Sequence, residues 1–391
     1  MKPNNDTPSI RFAGFTDAWE QRKLGDFCKI DIGEFVIRTK QRDDAPYPVY
    51  NGGSSYTGFY DEFNQDGKKV IVSARGANAG FVNKCETPYW AGNSCYSIGV
   101  LDDTDWIFLY HAIKHVQLEF IKGQQSANIP SVSKEQVQKT EVACPSCQEQ
   151  KKIAVFLEVL DTLITLHQRK YDQLVNIKKS MLEKMFPKNG ELVPEVRFAG
   201  FTDAWEQRKL GEITEEVTRN DPSSDAPIMM ITANNGFIEQ SERYAFNNAG
   251  ESLKKYILLK KGELAYNHGA SKLRPFGSCF ALRTVDNARI PFVYHCFSSG
   301  EHNPEFLSIQ LNGQRVENQL RKIVSSGARM DGLLNISYEE YSSLSILLPC
   351  SEEQHQIADY FRQIDDLITL HQRKLERLQN IKKACLEKMF V

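Results

Sequence analysis

The chain carries two copies of its own framework. Arg11–Gly25 reads RFAGFTDAWEQRKLG, and Arg197–Gly211 repeats that string without a change. A second set of matches follows: LITLHQRK at 163–170 and 367–374, NIKK at 176–179 and 380–383, LEKMF at 182–186 and 386–390. The front motif recurs 186 residues on, from 11 to 197, and the back motif 204 residues on, from 163 to 367, so the second variable region is the longer by 18. Between these bookends, residues 26–144 and 212–348 hardly resemble each other. A duplication of this kind restricts the fold to two equivalent frames that hold two dissimilar inserts.

Each copy reads frame, variable region, helix. Ile153, Leu157, Leu160, Ile164, His167, Tyr171, Leu174, Lys178, Met181 and Met185 advance in alternating steps of four and three. Ile357, Phe361, Ile364, Ile368, His371, Leu375, Leu378, Lys382, Cys385 and Met389 repeat the seam. A heptad sustained this far, with almost no Gly or Pro inside, predicts a coiled-coil helix. Pro145–Glu149 (PSCQE) and Ser351–Gln354 offer capping boxes at the two starts, and Pro187 with Asn189-Gly190 ends the first helix. About 38 residues at 1.5 Å rise make roughly 57 Å of helix. One such seam alone would expose an apolar stripe. Two identical seams in one chain predict that they pair, antiparallel; the alternative is that each packs on its own domain as ordinary core. His167, His371, Lys178 and Lys382 lie on the seam, where polar groups commonly set register.

The variable regions mix short strands (Lys69–Ala74, Tyr256–Leu259), turns (Asn51-Gly52-Gly53, Asn234-Asn235-Gly236) and helical patterns (Trp106–Phe120, Pro304–Val324). The expected fold class is therefore α+β: two mixed α/β globular domains joined by two long antiparallel coiled-coil helices, as a pseudo-twofold internal repeat. The boundaries read from the sequence are a first domain at 1–145, a first spacer helix at 146–187, a linker and second domain at 188–348, and a second spacer helix at 349–391.

The sequence holds 48 Lys+Arg against 50 Asp+Glu. That balance excludes the bulk positive charge of a histone-like protein but allows local segregation. Nine cysteines and a polar start, MKPNNDTPSI, with no apolar stretch resembling a secretory leader, point to a reducing cytoplasm. No apolar run approaches the ~20 residues that cross a bilayer. No phosphate-binding GxxxxGK[ST] loop and no dinucleotide GxGxxG is present. Asn303-Pro304-Glu305-Phe306 resembles the NPP[YF] tetrapeptide of amino-methyltransferases but has Glu in third place, and reads as a helix start. Cys144 and Cys147 form a lone CxxC, the second copy keeps only Cys350, and His111, His115, His268, His295 and His302 lack metal-ligand spacing. Neither a metal site nor a catalytic residue is expected; a binding protein is.

Two loops in each variable region mix small, polar and cationic residues. In the first, Ser73, Arg75 and Asn78 follow a β-rich run, and Gln124, Gln125 and Asn128 precede Ile129-Pro130. In the second, Asn267, His268, Ser271, Lys272 and Arg274 form one loop, and Ser325 and Arg329 another, where Gly327 matches Gly123 at the 204-residue offset. Asn and Gln can bridge adenine edges and Arg or Lys guanine edges, while Lys254, Lys255, Lys260, Lys261, Lys272 and Arg274 suit a phosphate backbone, opposed by Glu251 and Glu263. The same composition also suits plain solvated turns. The duplication favours recognition: two inserts each reading a short target, with the frames fixing their separation and offering a second protein two equivalent docking sites.

Along its whole length the chain resembles the specificity subunit of type I restriction–modification enzymes. The resemblance lies in Pro8-x-Ile10-Arg11-Phe12…Trp19-Glu20-Gln21-Arg22-Lys23-Leu24-Gly25 and its copy from Pro194 to Gly211, in Pro145…Glu149-Gln150…Ile153-Ala154 and Pro349…Glu353-Gln354…Ile357-Ala358, and in the paired LITLHQRK helices. It implies two target-recognition domains, each reading half of a bipartite asymmetric site in double-stranded DNA, with helical spacers setting the unread gap. It further implies two methyltransferase subunits and two restriction subunits as partners, with S-adenosylmethionine, ATP and Mg²⁺ bound by those partners and none by this chain. Trp19, Arg22, Trp205, Arg208, Arg169 and Arg373 are the candidate partner-contacting residues. A repeat scaffold that binds only proteins is the competing reading.

Overall fold

The computed structural model describes residues 7–122, 130–188, 190–233, 236–243, 250–324 and 334–391. The chain forms two compact units, Met1–Arg169 with His371–Val391, and Lys170–Leu370. The first long helix, Cys147–Lys184, and the second, Ser351–Lys388, each contribute to both units.

In the first unit the frame is a two-stranded antiparallel ladder, β1 (Glu20–Lys23) against β9 (Glu141–Cys144), with Arg22 opposite Val142. The variable region builds a four-stranded antiparallel sheet in the order β2-β8-β5-β6, from β2 (Cys28–Ile32), β5 (Lys69–Ser73), β6 (Val82–Cys85) and β8 (Cys95–Val100). A smaller sheet joins β3 (Tyr47–Tyr50), β4 (Gly58–Tyr60) and β7 (Trp90–Ala91). Lys69–Ser73 reads KVIVS, and β-branched residues pack well on a pleated surface covered on both faces. Helix Trp106–His115 lies over this sheet, its N-terminus capped by the Asp105 carboxylate, which accepts from the Ile107 and Phe108 amides.

The second unit repeats the frame with β10 (Glu206–Lys209) against β18 (Ser345–Leu348). Its variable region contains a three-stranded sheet, β15-β14-β17, from β14 (Leu264–Asn267), β15 (Ser278–Ala281) and β17 (His295–Phe297). Two hairpin-like pairs complete it, β11 (Met229–Thr232) with β12 (Gly236–Glu239), and β13 (Ile257–Lys260) with β16 (Asn287–Ile290). Helix Pro304–Leu311 is capped by Asn303, so the NPEF tetrapeptide is a helix start as the sequence suggests. Dissimilar in sequence, the two variable regions share a central antiparallel triplet, β6-β5-β8 and β15-β14-β17.

The heptad seams pair antiparallel within each unit. In the first, Asp161 meets Lys382 and His167 meets His371, Nδ1 to Nδ1 at 2.9 Å. In the second, Lys178 donates to Asp365 at 2.5 Å and Phe186 packs on Phe361. Every seam position read from the sequence is buried or half-buried. The alternative reading also holds in part, because the seam ends are domain core: Ile153, Leu157 and Leu160 belong to the first unit's core, and Ile357 and Phe361 to the second's. The repeated LEKMF explains why. Phe390 packs on Trp19, Phe108 and His115 in the first unit, and Phe186 on Trp205 and Phe306 in the second. Main-chain bonds close each arrangement, Ile10 N to Lys388 O and Val196 N to Lys184 O, both at 2.9 Å.

The predicted capping boxes form differently. Glu149 is fully buried and accepts two hydrogen bonds from Arg11; Glu353 does the same with Arg197. The next residue clamps the variable domain to its helix. Gln150 accepts from the Asp105 amide and donates to Pro145 O, and Gln354 accepts from the Asn303 amide and donates to Pro349 O. Glu149, which reads as a capping-box residue in the sequence, and Glu353 hold the frame instead.

Two predictions follow from these buried groups. Removing the Arg11 guanidinium (Arg11→Ala) leaves the Glu149 carboxylate buried and unpaired, and is expected to destabilise the first unit by ~3–5 kcal/mol in chemical unfolding. His111 is buried, and neither ring nitrogen has a hydrogen-bond partner among the described residues. Burial first, and then Lys382, Lys84 and Lys114, hold its folded-state pKa down at about 3. Above its ordinary value of 6.5 the ring is neutral in both states. As pH falls below that, only the unfolded chain takes the proton, so stability drops by up to ~1.4 kcal/mol per pH unit from this group. His111→Leu is expected to flatten the acid limb of a stability–pH curve; an unchanged limb would refute the assignment.

Candidate nucleic-acid interface

The sheet centre positions the candidate recognition loops. In the first unit β5 runs out at Ser73 into a tight loop, in which Gly76 and Gly80 take positive φ of 91° and 85°. The Ala79 amide donates to Gly76 O, Phe81 to Asn78 O, and Gly80 to Ser73 O. The strand emerging from the second candidate loop runs beside it: Gly76 N donates to Pro130 O, Val132 N to Ala74 O, and Arg75 bridges Ser131. Two loops that are ~50 residues apart in sequence are therefore neighbours at their roots. The β3–β4 connection joins them. Gly53 O accepts from Ser73 Oγ at 2.9 Å and from Asn83 at 3.4 Å, and a side chain on Gly52 would meet Arg75 O.

The second unit assembles the corresponding corner from other residues. Asn267, at the end of β14, donates to Ile231 O of the β11–β12 hairpin and accepts from the Gly269 amide. His268 is buried, one ring nitrogen 2.9 Å from Leu334 O and the other 2.6 Å from Val293 O. Leu334 N in turn donates to His268 O. Arg274 donates to Asn312 O at the end of helix Pro304–Leu311, and burial depresses its pKa.

These contacts sort the candidates. Arg75, Asn78 and Lys272 are exposed and stand free for an external ligand, and Ser271 is exposed with its hydroxyl accepting from the Arg274 amide. Ser73, Asn267, His268 and Arg274 act as fasteners: Ser73, Asn267 and Arg274 each donate to a main-chain carbonyl, and both ring nitrogens of His268 face one. In a β-strand side chains alternate between faces, and those at the strand end that turn inward must find partners. Gln124, Gln125, Asn128, Ser325 and Arg329 lie outside the described residues. The basic set of the second unit also divides. Lys260 and Lys261 precede β14 and Lys272 follows it, while Lys255 lies over the Phe292 ring and Glu263 pairs with Arg219.

Of the partner-contact candidates, Trp19 and Trp205 are 3% and 1% exposed and sit in the two cores. Their indoles receive Phe390 and Phe186, so the repeated Trp is packing and not a docking surface. Arg22 pairs with Asp102 at 2.8 Å and lies over the Phe27 ring; its copy Arg208 pairs with Glu212 and Glu206. The identical arginine finds a partner 80 residues away in the first unit and partners two and four residues away in the second. Arg169 and Arg373 are exposed on the helices.

Sequence reasoning passed over the segment Gly33–Asp44 and the loop after β3. The string Phe35-Val36-Ile37-Arg38-Thr39-Lys40, apolar and basic with no core periodicity, was the available signal. Among the described residues no group of three His, Cys, Asp or Glu is placed to hold a metal ion, and no helix is long and apolar enough to cross a membrane.

The sorting makes a measurable distinction. Ser73→Ala removes the shorter of the two hydrogen bonds to the half-buried Gly53 carbonyl and is expected to lower stability by ~0.5–1.5 kcal/mol. Arg75→Ala and Lys272→Ala, at exposed positions, are expected to stay within ~0.5 kcal/mol of the parent. Thermal unfolding of the three variants checks this.

Residues 16–176 match the family described as the type I restriction modification DNA specificity domain. Over 94% of this chain and 91% of the relative, the sequence is 23% identical to the MjaVIII type I restriction enzyme specificity subunit of Methanocaldococcus jannaschii. The HindI specificity subunit of Haemophilus influenzae is 26% identical, over 48% of this chain and 41% of that protein. Among solved structures, the S subunit of a type I restriction–modification system from M. genitalium has the same fold, with a TM-score of 0.64, 16% identity, and coverage of 98% of this chain and 99% of that one. Residues 16–176 thus match the type I restriction modification DNA specificity domain, and over nearly its whole length the chain is similar in sequence and fold to type I specificity subunits.

Proposed function

We propose that this chain reads a bipartite, asymmetric site in duplex DNA, one half with each unit, and performs no catalysis itself. The observation that carries the reading is the repeated frame around divergent corners. Each unit fastens its strand-end loop to a neighbouring hairpin or loop, by Ser73 to Gly53 or Asn267 to Ile231, yet presents different exposed residues there. Two different readers in equivalent holders suit two different half-sites.

The long helices, shared by both units, set the length of the unread gap. Arg75, Asn78, Ser271 and Lys272 contact bases or phosphates. The frames and helices, with Arg22, Arg208, Arg169 and Arg373, dock two methyltransferase subunits, and two restriction subunits join that assembly in the cytoplasm. S-adenosylmethionine, ATP and Mg²⁺ belong to those partners, and adenine methylation requires the target base to leave the stack.

The test is an exchange of residues 26–144 for the matching region of another specificity subunit, followed by sequencing of methylated adenines in cells carrying the assembled enzyme. One half-site is expected to change and the other to stay. A heptad inserted into both long helices should change only the gap; both are needed because each helix is tied at its end, at Lys184 and Lys388. A binder of DNA should also weaken linearly in log affinity against log salt. A chain with no such slope, or an exchange that alters both halves, overturns the proposal in favour of a protein-only scaffold.

A further inference from the structure

We propose that Phe35 in the first unit and Leu273 in the second are apolar base-contacting residues that help determine which sequence each unit accepts. The inference rests on the DNA-reading function proposed above and adds residues to it. Phe35 is 72% exposed and Leu273 66%. A large apolar side chain held in water gains free energy only when a partner covers it.

Both sit on backbone that is pinned at either side. Two residues before Phe35, Gly33 packs so closely on the main chain that an added Cβ would lie 2.2 Å from Gly92 O. The Glu34 amide donates to Ala91 O. Two residues after Phe35, the Ile37 amide donates to the Tyr60 hydroxyl, which donates to Ile37 O. Around Leu273, Ser271 N donates to Arg274 O, Arg274 N to Ser271 Oγ, Gly277 N to Arg274 O, and the Arg274 guanidinium to Asn312 O. That turn has Lys272 and Leu273 at its tip. Pre-ordered positions of this kind lose little conformational entropy on binding.

The neighbouring charges select the partner. Arg38, Lys40 and Lys272 are exposed and form no ion pair among the described residues. Arg42, by contrast, is occupied by Asp44 and Asp61. An apolar tip beside unpaired cations matches a DNA groove, where phosphates flank base edges and thymine methyl groups. The Phe35 segment also joins the recognition corner: Gln41 donates to Thr57, in the same β3–β4 connection whose Gly53 accepts from Ser73. Leu273 lies in the loop that Asn267 and Arg274 fasten. The two positions are not copies of each other, since Phe35 follows β2 and Leu273 follows β14, so each unit supplies its apolar contact from a different place.

The experiment uses the full chain assembled with its methyltransferase partner. The probe is a duplex carrying the site methylated in cells that contain the chain, compared with duplexes substituted singly at each base pair. Phe35→Ala is expected to reduce discrimination roughly tenfold at a base pair of one half-site, and Leu273→Ala at a base pair of the other. Phe35→Leu and Leu273→Met should retain most of it, and all four variants should unfold at the parent temperature. Affinity that is unchanged, or that falls equally on every duplex, overturns the inference while leaving the DNA-reading function standing. A parent assembly that shows no preference among duplexes overturns both.

Discussion

The terminal phenylalanine of each LEKMF repeat is the contact on which both units depend. Phe390 enters the core beside Trp19 and Phe108, and Phe186 enters beside Trp205 and Phe306. Burying one such ring contributes ~1.5–3 kcal/mol, and favourable aromatic pairs add ~0.5–1.5 kcal/mol each. The larger consequence is topological. The first unit is completed by its own frame and by the last residues of the chain, so its core assembles across almost the full sequence. Packing at that end draws the helices into antiparallel register and brings Ile10 to Lys388.

Polar pairs on the seam add specificity more than stability. Lys178–Asp365 and Lys382–Asp161 are related by the 204-residue offset on both partners, and all four side chains remain partly in water. Ion pairs so placed contribute ~0–1 kcal/mol. They exclude slipped registers, in which a lysine would lie against aliphatic seam residues. His167 and His371 are offset copies that meet each other, as the antiparallel pairing of a repeated sequence requires of one position.

The candidate site was half legible. Composition singled out loops whose roots folding brings together: those of the Ser73 and Pro130 segments are neighbours, and so are those of His268 and Leu334. It did not tell which residues within them are bonded internally. Ser, Asn and His suit a loop that reads DNA and equally a loop that must satisfy buried carbonyls, and Ser73, Asn267 and His268 took the second role. Exposed Phe35 and Leu273 drew no notice, because an apolar residue in a sequence is counted as core until burial is known.

Residues alone determined the duplicated frame, the two heptad helices, their pairing and the α+β class, because periodicity and repetition are properties of the string. They also carried the resemblance to the specificity subunits. Tertiary structure decided which polar groups are spent internally. Glu149 has the spacing of a helix cap, yet it is buried against Arg11, distant in sequence, as Glu353 is against Arg197. Trp19 and Arg22 lie three residues apart in the frame, and only packing makes the first core and the second a partner of Asp102. The physical reason is common to all of these. Burial and hydrogen-bond partnership depend on residues brought together by folding, and a side chain's chemistry does not reveal whether its partner is water, protein or ligand.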